Sequence, residues 1–320
     1  MAANSRCEES AVQALIVDHA VSGGLRLGAA PDPVPRPNEV LVSVSAVSLN
    51  YGDIQDNVDN APDGSVPGWE AAGVVVQEAD DGSGPPVGTP VVSFGWTGGW
   101  AKLRAVDTAF LGVVPVEADL GAMATVPVAG VSALAALDRI GPLLGRRVLV
   151  TGATGGVGRY AVQLGRLGGA EVFAMTGDPA RHGATLRTLG ADAVVSSPAE
   201  VDGLLDGVVD AVGGRVLVEA FARLTRNGTL VAVGHVTQEA ETFPVGALLS
   251  RPGQDNRSIA TFLMPEATDV GRGMTWLAGR VAAGAVDPGI AWRGDWTSVA
   301  EAVELLRSRG LSGKAVLDLG

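Results

Sequence analysis

The chain of 320 residues has little cysteine and little basic charge. Cys7 is the only cysteine, so neither an intrachain disulfide nor a zinc cluster of cysteine thiolates can form. Lysine occurs only at Lys102 and Lys314, and the formal net charge is −12, without a basic cluster. This charge balance argues against nucleic acid or an anionic membrane as a partner.

Long apolar runs are also missing. No run approaches the length that crosses a membrane, and the polar N-terminus contains no apolar signal core. We therefore expect a soluble cytoplasmic protein without a membrane partner. Aromatic residues make up only 4% of the chain and glycine occurs 45 times, a composition typical of α/β enzymes. The length suffices for two domains.

A glycine-rich stretch in the middle of the chain has the pattern of a dinucleotide-binding unit. The apolar run Val148–Val150 predicts a strand; a glycine-rich turn and a helical pattern with one apolar face lead to a second run, Val172–Met175. Gly155 allows the backbone to approach a pyrophosphate, and Gly158 allows the helix to pack close to the strand. The helix N-terminus offers free N–H groups to the phosphates.

The glycine motif is incomplete, because Ala153 stands where the first glycine of G-x-G-x-x-G belongs. A tight turn in another parallel α/β domain is therefore an alternative. The position of the glycines between a strand and a helix favours nucleotide binding.

The end of the second strand bears on the choice of cofactor. An NAD site usually has an acidic residue there, which bonds the ribose 2′-OH, whereas this chain has Thr176. Asp178 is expected either in the loop or as the cap of a helix that begins at Pro179. Arg159 and Arg181 are near enough to bind a 2′-phosphate, so NADPH is the predicted cofactor. The alternative role of both arginines is solvated helix surface.

The spacing of apolar residues changes along the chain and predicts how it is divided into domains. Short strands with glycine and proline turns predict a compact β-barrel-like domain at 1–119. Alternating strands and helices predict a nucleotide-binding domain at 120–264 with a doubly wound parallel sheet, and the segment 265–320 is expected to complete the first domain. The fold class is thus α/β. Ligands of such sheets bind at the carboxyl ends of the strands, where we place Gly155, Thr176, Val212, Gly213, Gly234, His235 and Val236.

Several motifs along the chain occur in a characteristic order: Glu39–Val42, Ser48–Asp53, Pro67–Gly73, Val126–Ala133, Ala153–Gly158, Asp210–Gly213 and Gly313–Leu317. Together they span nearly the whole chain and resemble the medium-chain dehydrogenase/reductase superfamily, in its zinc-independent quinone oxidoreductase and enoyl reductase branch. The resemblance implies a GroES-like domain with a Rossmann domain inserted in it, and a homodimer as the expected assembly.

Two differences from the zinc-dependent members concern metal binding. Those members carry cysteine where Asn50 stands and histidine where Trp69 stands, and neither substitute is a usual zinc ligand. We therefore expect no metal site. His19, His182 and His235 are too scattered in the sequence to suggest one.

The resemblance also implies roles for individual side chains. Tyr51 is the candidate proton donor, with an aromatic wall of the site as the alternative. Asn50 is expected to orient the nicotinamide ribose or the substrate carbonyl, unless it only caps a turn. Ser132 is expected to place a hydroxyl near the nicotinamide, unless it is an ordinary helix residue. Trp69 and Trp96 are either apolar walls for a flat substrate or core residues.

The predicted cofactor site combines these positions with the turn and the strand ends. Asp53 is expected to cap a helix instead. The residues expected to bind the cofactor are Asn50, Ser132, Ala153, Thr154, Gly155, Gly156, Val157, Thr176, Arg181, Val212, Gly213, Gly234, His235 and Val236.

The predicted reaction is hydride transfer from NADPH to a quinone or an α,β-unsaturated carbonyl, because such acceptors need no strong acid or metal. An enone of bacterial secondary metabolism is an admissible substrate. A different hypothesis is a family member that keeps the nucleotide fold without redox turnover, as a cyclase, a sensor or a partner-binding subunit. A metal-free alcohol dehydrogenase is a third.

Overall fold

The computed structural model describes residues 11–267 and 269–320, and Cys7 lies outside this range. The described chain forms two compact units. Unit 1 contains the described part of Met1–Pro127 together with Trp292–Gly310 and Ala315–Gly320, and unit 2 contains Val128–Ala291 and Leu311–Lys314.

Unit 1 begins with antiparallel strands. Strands β1 (Ala11–Val17) and β2 (Leu25–Pro31) form a two-stranded sheet. β2 is not predicted from the sequence, because the alternation of apolar and polar residues in LRLGAA stops after its first three positions. The strands that follow are β3 (Glu39–Leu49), β4 (Glu70–Gln77), β5 (Pro90–Phe94), β6 (Leu103–Asp107) and β7 (Leu111–Val113).

Strands β3 and β4 approach each other unusually closely. A Cβ atom at Gly73 of β4 would lie 2.0 Å from the carbonyl oxygen of Ser43 in β3, so only glycine fits there. The register shifts next to this contact, between Val44 and Ala46. A π-helix, Asp53–Asp59, lies between the two strands in sequence. The short helix α1 (Leu120–Met123) is capped by the Asp119 side chain.

Unit 2 is built on six parallel strands. After the helix α2 (Val131–Ile140) come β8 (Arg147–Val150), α3 (Gly156–Leu167), β9 (Glu171–Met175), α4 (Pro179–Thr188), β10 (Ala193–Val195), β11 (Leu205–Asp210), α5 (Gly214–Ala222), β12 (Leu224–Ala232) and β13 (Ser258–Thr261). The sheet order is β10-β9-β8-β11-β12-β13, the order of a dinucleotide-binding Rossmann sheet. The predicted α/β fold class is confirmed. Residues 237–256, before β13, contain no helix or strand.

The C-terminal elements return to both units. Helix α6 (Val270–Ala282) falls in unit 2, although the sequence-based division places it with the first domain. Its apolar face, with Met274 and Leu277 fully buried, packs against α2. Strand β14 (Ile290–Asp295), helix α7 (Val299–Arg307) and strand β15 (Lys314–Asp318) follow. The larger sheet then has the order β14-β15-β3-β4-β5-β7, with β6 paired to β3.

One helical stretch in the described residues, Leu120–Ile140, is long and apolar enough to cross a membrane. However, 72% of its most apolar window is buried inside the protein. This burial is what the core helix of a folded domain requires, so the stretch is weak support for a membrane span.

An ion pair in unit 1 holds the end of the π-helix. His19 Nδ1 lies 2.6 Å from Asp63 Oδ1, and His19 Nε2 lies 3.0 Å from the carbonyl oxygen of Val58. Both ring nitrogens face acceptors, so the charged imidazolium satisfies both contacts. The hydrogen bond to the Asp63 carboxylate accordingly raises the pKa of His19.

This pair predicts a pH-dependent contribution to stability. Because the pKa of His19 is raised in the folded state, the pair contributes its full stability when the pH is below the ordinary histidine pKa of about 6.5. This contribution is lost as the pH rises through the raised pKa. We expect His19→Ala to lower the free energy of unfolding more at pH 5.5 than at pH 8.5, as measured by denaturant titration. His182→Ala on α4 is the control. An equal loss at both pH values would contradict the assignment.

Candidate functional site

The turn between β8 and α3 is shaped by the contact of two glycines. A Cβ atom at Gly158 would lie 2.3 Å from the carbonyl oxygen of Gly152 and 2.6 Å from the Cα of Ala153. Both are backbone atoms, so only glycine allows α3 to pack this close. Gly152 has φ = +59° and makes the tight turn. The missing glycine of the motif is therefore replaced by a glycine one residue earlier, while Ala153 is fully buried.

The N-terminus of α3 suits a pyrophosphate. Gly155 is the N-cap residue and no side chain caps the helix. Thr154 lies in the turn, and Gly156 and Val157 open the helix. The backbone N–H groups of a helix start, together with the helix dipole, bind anions. The turn thus fits the diphosphate of a dinucleotide.

Strand ends of the parallel sheet gather beside this turn. The backbone N–H of Ala153 donates to the carbonyl oxygen of Met175 at 3.0 Å, which places the turn next to the end of β9. A Cβ atom at Gly152 would lie 3.4 Å from a methyl group of Val212, just after β11. Ser132 is buried in the first turn of α2, which packs against α3.

A buried carboxylate, to which the sequence analysis gave no site role, ties two of these strands together. The Thr151 hydroxyl donates to Asp210 Oδ1 at 2.5 Å, and the backbone N–H of Gly213 donates to Asp210 Oδ2 at 2.9 Å. Burial raises the pKa of Asp210, which is fully enclosed. The acidic residue that ends the apolar run Val208–Val209 was the available signal. Its hydrogen bonds hold the turn after β11 next to the end of β8.

His235 packs on the turn after β11. A Cβ atom at Gly213 would lie 1.8 Å from His235 Cδ2, so the ring lies directly over this glycine. His235 Nε2 is 2.9 Å from Glu241 Oε1, and the same oxygen accepts the backbone N–H of Gly214 at 3.0 Å. The strand-end residues of β11 and β12 that the sequence predicts, Val212, Gly213, Gly234, His235 and Val236, therefore form one edge of unit 2.

The two arginines that are candidates for binding a 2′-phosphate differ in their surroundings. Thr176 directly follows β9, is buried, and accepts the backbone N–H of Asp178 at 3.3 Å. Asp178 Oδ1 caps α4 by accepting the backbone N–H of Arg181 at 3.0 Å, which confirms the predicted cap. Arg181 is exposed in the first turn of α4 and forms no ion pair with a described residue. Arg159 Nη2, by contrast, is bound to Asp287 at 2.9 Å.

A second set of candidate residues lies in unit 1, in a network of buried carboxylates. Asn50 Nδ2 donates to Glu70 Oε1 at 2.7 Å and to Asp53 Oδ2 at 2.9 Å. The Ser48 hydroxyl donates to Glu70 Oε1 at 2.8 Å. Glu70 and Asp53 are fully buried, whereas the neighbouring Tyr51 is exposed. Asp53 also accepts the backbone N–H of Asn50, as the acidic residue of a capping box does.

Arg104 of β6 is the cation of this network, and sequence reasoning missed it. Its side chain is buried and donates to Ser93 Oγ and to the carbonyl oxygens of Trp69 and Thr97, each at 3.1 Å. Burial lowers the pKa of Arg104 to about 10, although the charges of Asp53 and Glu70 oppose this shift. No sequence motif marks an arginine whose partners are mostly backbone carbonyls.

The positions of the zinc ligands in zinc-dependent relatives do not fit a metal here. The amide nitrogen of Asn50 is used by two carboxylates, and the indole of Trp69 offers no ligand atom. Within residues 11–267 and 269–320, no group of three or more His, Cys, Asp and Glu side chains could hold a metal ion. We therefore derive no step that uses zinc.

Two protein-family models match successive parts of the chain. Residues 36–136 match a family model described as an alcohol dehydrogenase GroES-like domain, and residues 156–278 match one described as a zinc-binding dehydrogenase. A quinone oxidoreductase from Coxiella burnetii has the same fold, with a TM-score of 0.80 at 23% identity, and the match covers 97% of this chain and all of that one.

Curated relatives include a trans-enoyl reductase from Aspergillus flavipes, which is 30% identical over 73% of this chain and 69% of that protein. A chloroplast envelope quinone oxidoreductase homologue from Arabidopsis thaliana is 33% identical over 66% of this chain and 71% of its own length. An erythronolide synthase from Saccharopolyspora erythraea is 34% identical over 62% of this chain, but the match spans only 6% of that much longer protein.

The contact of α3 with its turn yields a test. We expect Gly158→Val to lower the free energy of unfolding by about 1–3 kcal/mol, because the added atoms meet backbone that cannot rotate away. The displaced turn should also weaken dinucleotide binding, as measured by titration calorimetry.

Gly279→Ala in α6 is the control, since a Cβ atom there meets nothing within 4 Å. Better helix propensity should stabilise this variant by up to about 1 kcal/mol and leave dinucleotide binding unchanged. Wild-type binding in Gly158→Val would show that the turn is not the phosphate site.

Proposed function

The chain belongs to the medium-chain dehydrogenase/reductase superfamily, in its quinone oxidoreductase and enoyl reductase branch, and we propose that it transfers hydride from NADPH to a quinone or an α,β-unsaturated carbonyl. The observation that carries this proposal is the uncapped start of α3 behind the Gly152–Gly158 contact. It is a diphosphate site at the carboxyl edge of a Rossmann sheet.

The proposed reaction is balanced without a further reductant. Bound NADPH supplies a hydride, and the acceptor takes up one proton in addition. A quinone becomes a hydroquinone; an enone receives hydride at its β-carbon and the proton at its α-carbon. Binding both reactants in one orientation lowers the entropic barrier, and no Lewis acid is required.

The chain's own residues have distinct parts in this proposal. The N–H groups at the start of α3 would hold the diphosphate, and Thr176 occupies the strand end where an NAD site usually has the acidic residue that bonds the ribose 2′-OH. Tyr51 is exposed and carries the only phenol near the Asn50 network in sequence, so we propose it as the proton donor. Asn50 is held by Glu70 and Asp53 and orients the bound reactants. The homodimer and the cytoplasmic location stay predictions.

The proposal is tested by NADPH oxidation, followed at the nicotinamide absorbance with a panel of quinones and enones. We expect turnover with at least one acceptor and little oxidation without an acceptor. Binding of NADPH without turnover by any acceptor would contradict the reductase function and support the non-redox hypothesis. A lack of binding by either nucleotide would contradict the cofactor site itself.

The choice of NADPH rests on Arg181, whose guanidinium is not engaged in an ion pair with the described residues. Charge-assisted bonds to a 2′-phosphate contribute about 1.5–3 kcal/mol, so Arg181→Ala should weaken NADPH binding by roughly tenfold or more and leave NADH binding unchanged. Arg187→Ala, at the other end of α4, is the matched control. Equal losses for both nucleotides in Arg181→Ala, as measured by titration, would contradict the 2′-phosphate role.

A further inference from the structure

Two tryptophans of unit 1 form a partly exposed surface that has no role in the reaction proposed above. The rings of Trp69 and Trp96 meet edge to face, with centroids 5.7 Å apart and an interplanar angle of 89°. Trp96 also contacts Phe94 edge to face at 5.3 Å. Phe94 is buried, whereas Trp96 remains 49% exposed. A large aromatic side chain is thus supported from within and presented to solvent.

The two segments that carry these rings are tied together by one buried cation. Arg104 Nη2 donates to the carbonyl oxygens of Trp69 and Thr97, the latter next to Trp96. The backbone N–H of Trp69 donates to Asp53 Oδ1 at 2.8 Å. Burial of a guanidinium is costly and contributes little net stability. What this arrangement does achieve is to tie the backbone of Trp69 to that of Thr97, the residue after Trp96.

The Trp69 ring contacts the residue that follows the candidate proton donor. The six-membered ring of Trp69 lies over Gly52, where a Cβ atom would be 2.2 Å from Cη2 of the indole. Gly52 directly follows Tyr51, whose side chain is 38% exposed. Trp69 and Trp96 therefore form one patch, which we call the aromatic patch, and its Trp69 ring contacts the residue next to Tyr51.

A rigid aromatic patch discriminates between acceptors by shape. A planar conjugated ring gains stacking or edge-to-face contact with a fixed indole, beyond the area that it buries. A flexible acyl chain gains only apolar area and loses rotamer freedom when it is ordered. An electron-poor ring, such as a quinone, complements the electron-rich face of tryptophan.

We propose that the aromatic patch binds the acceptor, that Trp96 determines specificity, and that the preferred substrates are planar ring systems such as quinones rather than linear enoyl thioesters. This inference rests on the proposed hydride transfer. Arg104 is a positioning residue, because it acts through the backbone of the two segments.

The test compares kcat/KM for a naphthoquinone and a linear 2-enoyl thioester, each with saturating NADPH. We expect the wild type to prefer the quinone. Trp96→Leu should lower kcat/KM for the quinone about two- to tenfold, mainly through KM, and change the thioester value by less than twofold. Arg104→Lys should show the same selective loss in smaller measure, because lysine lacks the planar fork.

Trp276→Leu is the matched control, since Trp276 is also half-exposed, at 42%, but lies on α6 of unit 2. It should leave both kcat/KM values unchanged. A wild type that prefers the thioester, or a Trp96→Leu variant that loses both acceptors equally, would overturn the inference.

A second measurement separates this inference from the proposed function. Titration of the naphthoquinone without NADPH, followed by tryptophan fluorescence, gives a dissociation constant that needs no turnover. We expect saturable quenching, with the dissociation constant raised in Trp96→Leu and unchanged in Trp276→Leu. Turnover with an unchanged dissociation constant in Trp96→Leu would contradict acceptor binding at the aromatic patch and leave the hydride transfer supported. Absence of NADPH oxidation despite saturable quenching would contradict only the hydride transfer.

Discussion

The close packing of α3 on its own preceding turn is the constraint on which the nucleotide unit depends. Only glycine at position 158 lets the helix backbone reach Gly152 and Ala153. This contact aims the helix start at the carboxyl edge of the sheet and leaves its N–H groups uncapped. The ends of β9 and β11 meet the same turn, through Ala153 and the Thr151–Asp210 hydrogen bond. The proposed diphosphate site and the strand ends around it therefore have one steric origin.

The candidate residues of unit 1 are held by buried charged side chains and not by a close backbone contact. Arg104, Asp53 and Glu70 are enclosed together, and each gains several hydrogen bonds. Such a network contributes little net stability, because desolvation offsets the attraction. Its effect is geometric, since it fixes Asn50 and the backbone of Trp69, the two positions at which zinc-dependent relatives carry metal ligands.

The parts of the fold that follow from local pattern could be predicted. The strand–turn–helix–strand around Gly155 and the Asp178 cap depend on residues close in sequence, and the structure contains both. The strand β2 was missed because apolar and polar residues do not alternate along the whole of LRLGAA. The position of α6 could not be predicted, since an apolar helix face does not reveal which unit covers it.

The candidate site could also be predicted only in part. The glycines and strand ends carry a signal, because their spacing is set by the fold. Asp210 was given no site role because its partner Thr151 lies far away in sequence. Arg104 was missed because four of its hydrogen-bond acceptors are backbone carbonyl oxygens, which no side-chain pattern marks. The choice between the two candidate arginines likewise depended on Asp287, which lies 128 residues from Arg159.

The most direct measurement follows the hydrogen that is transferred. NADPH carrying deuterium at C4, in either of its two epimeric forms, would be oxidised by the protein with an acceptor, and the mass of the NADP⁺ formed would be determined. We predict that one epimer yields NADP⁺ without deuterium and the other yields NADP⁺ that retains it, because a folded site exposes one face of the ring to the acceptor. Equal loss from both epimers, or no oxidation at all, would contradict enzyme-bound hydride transfer.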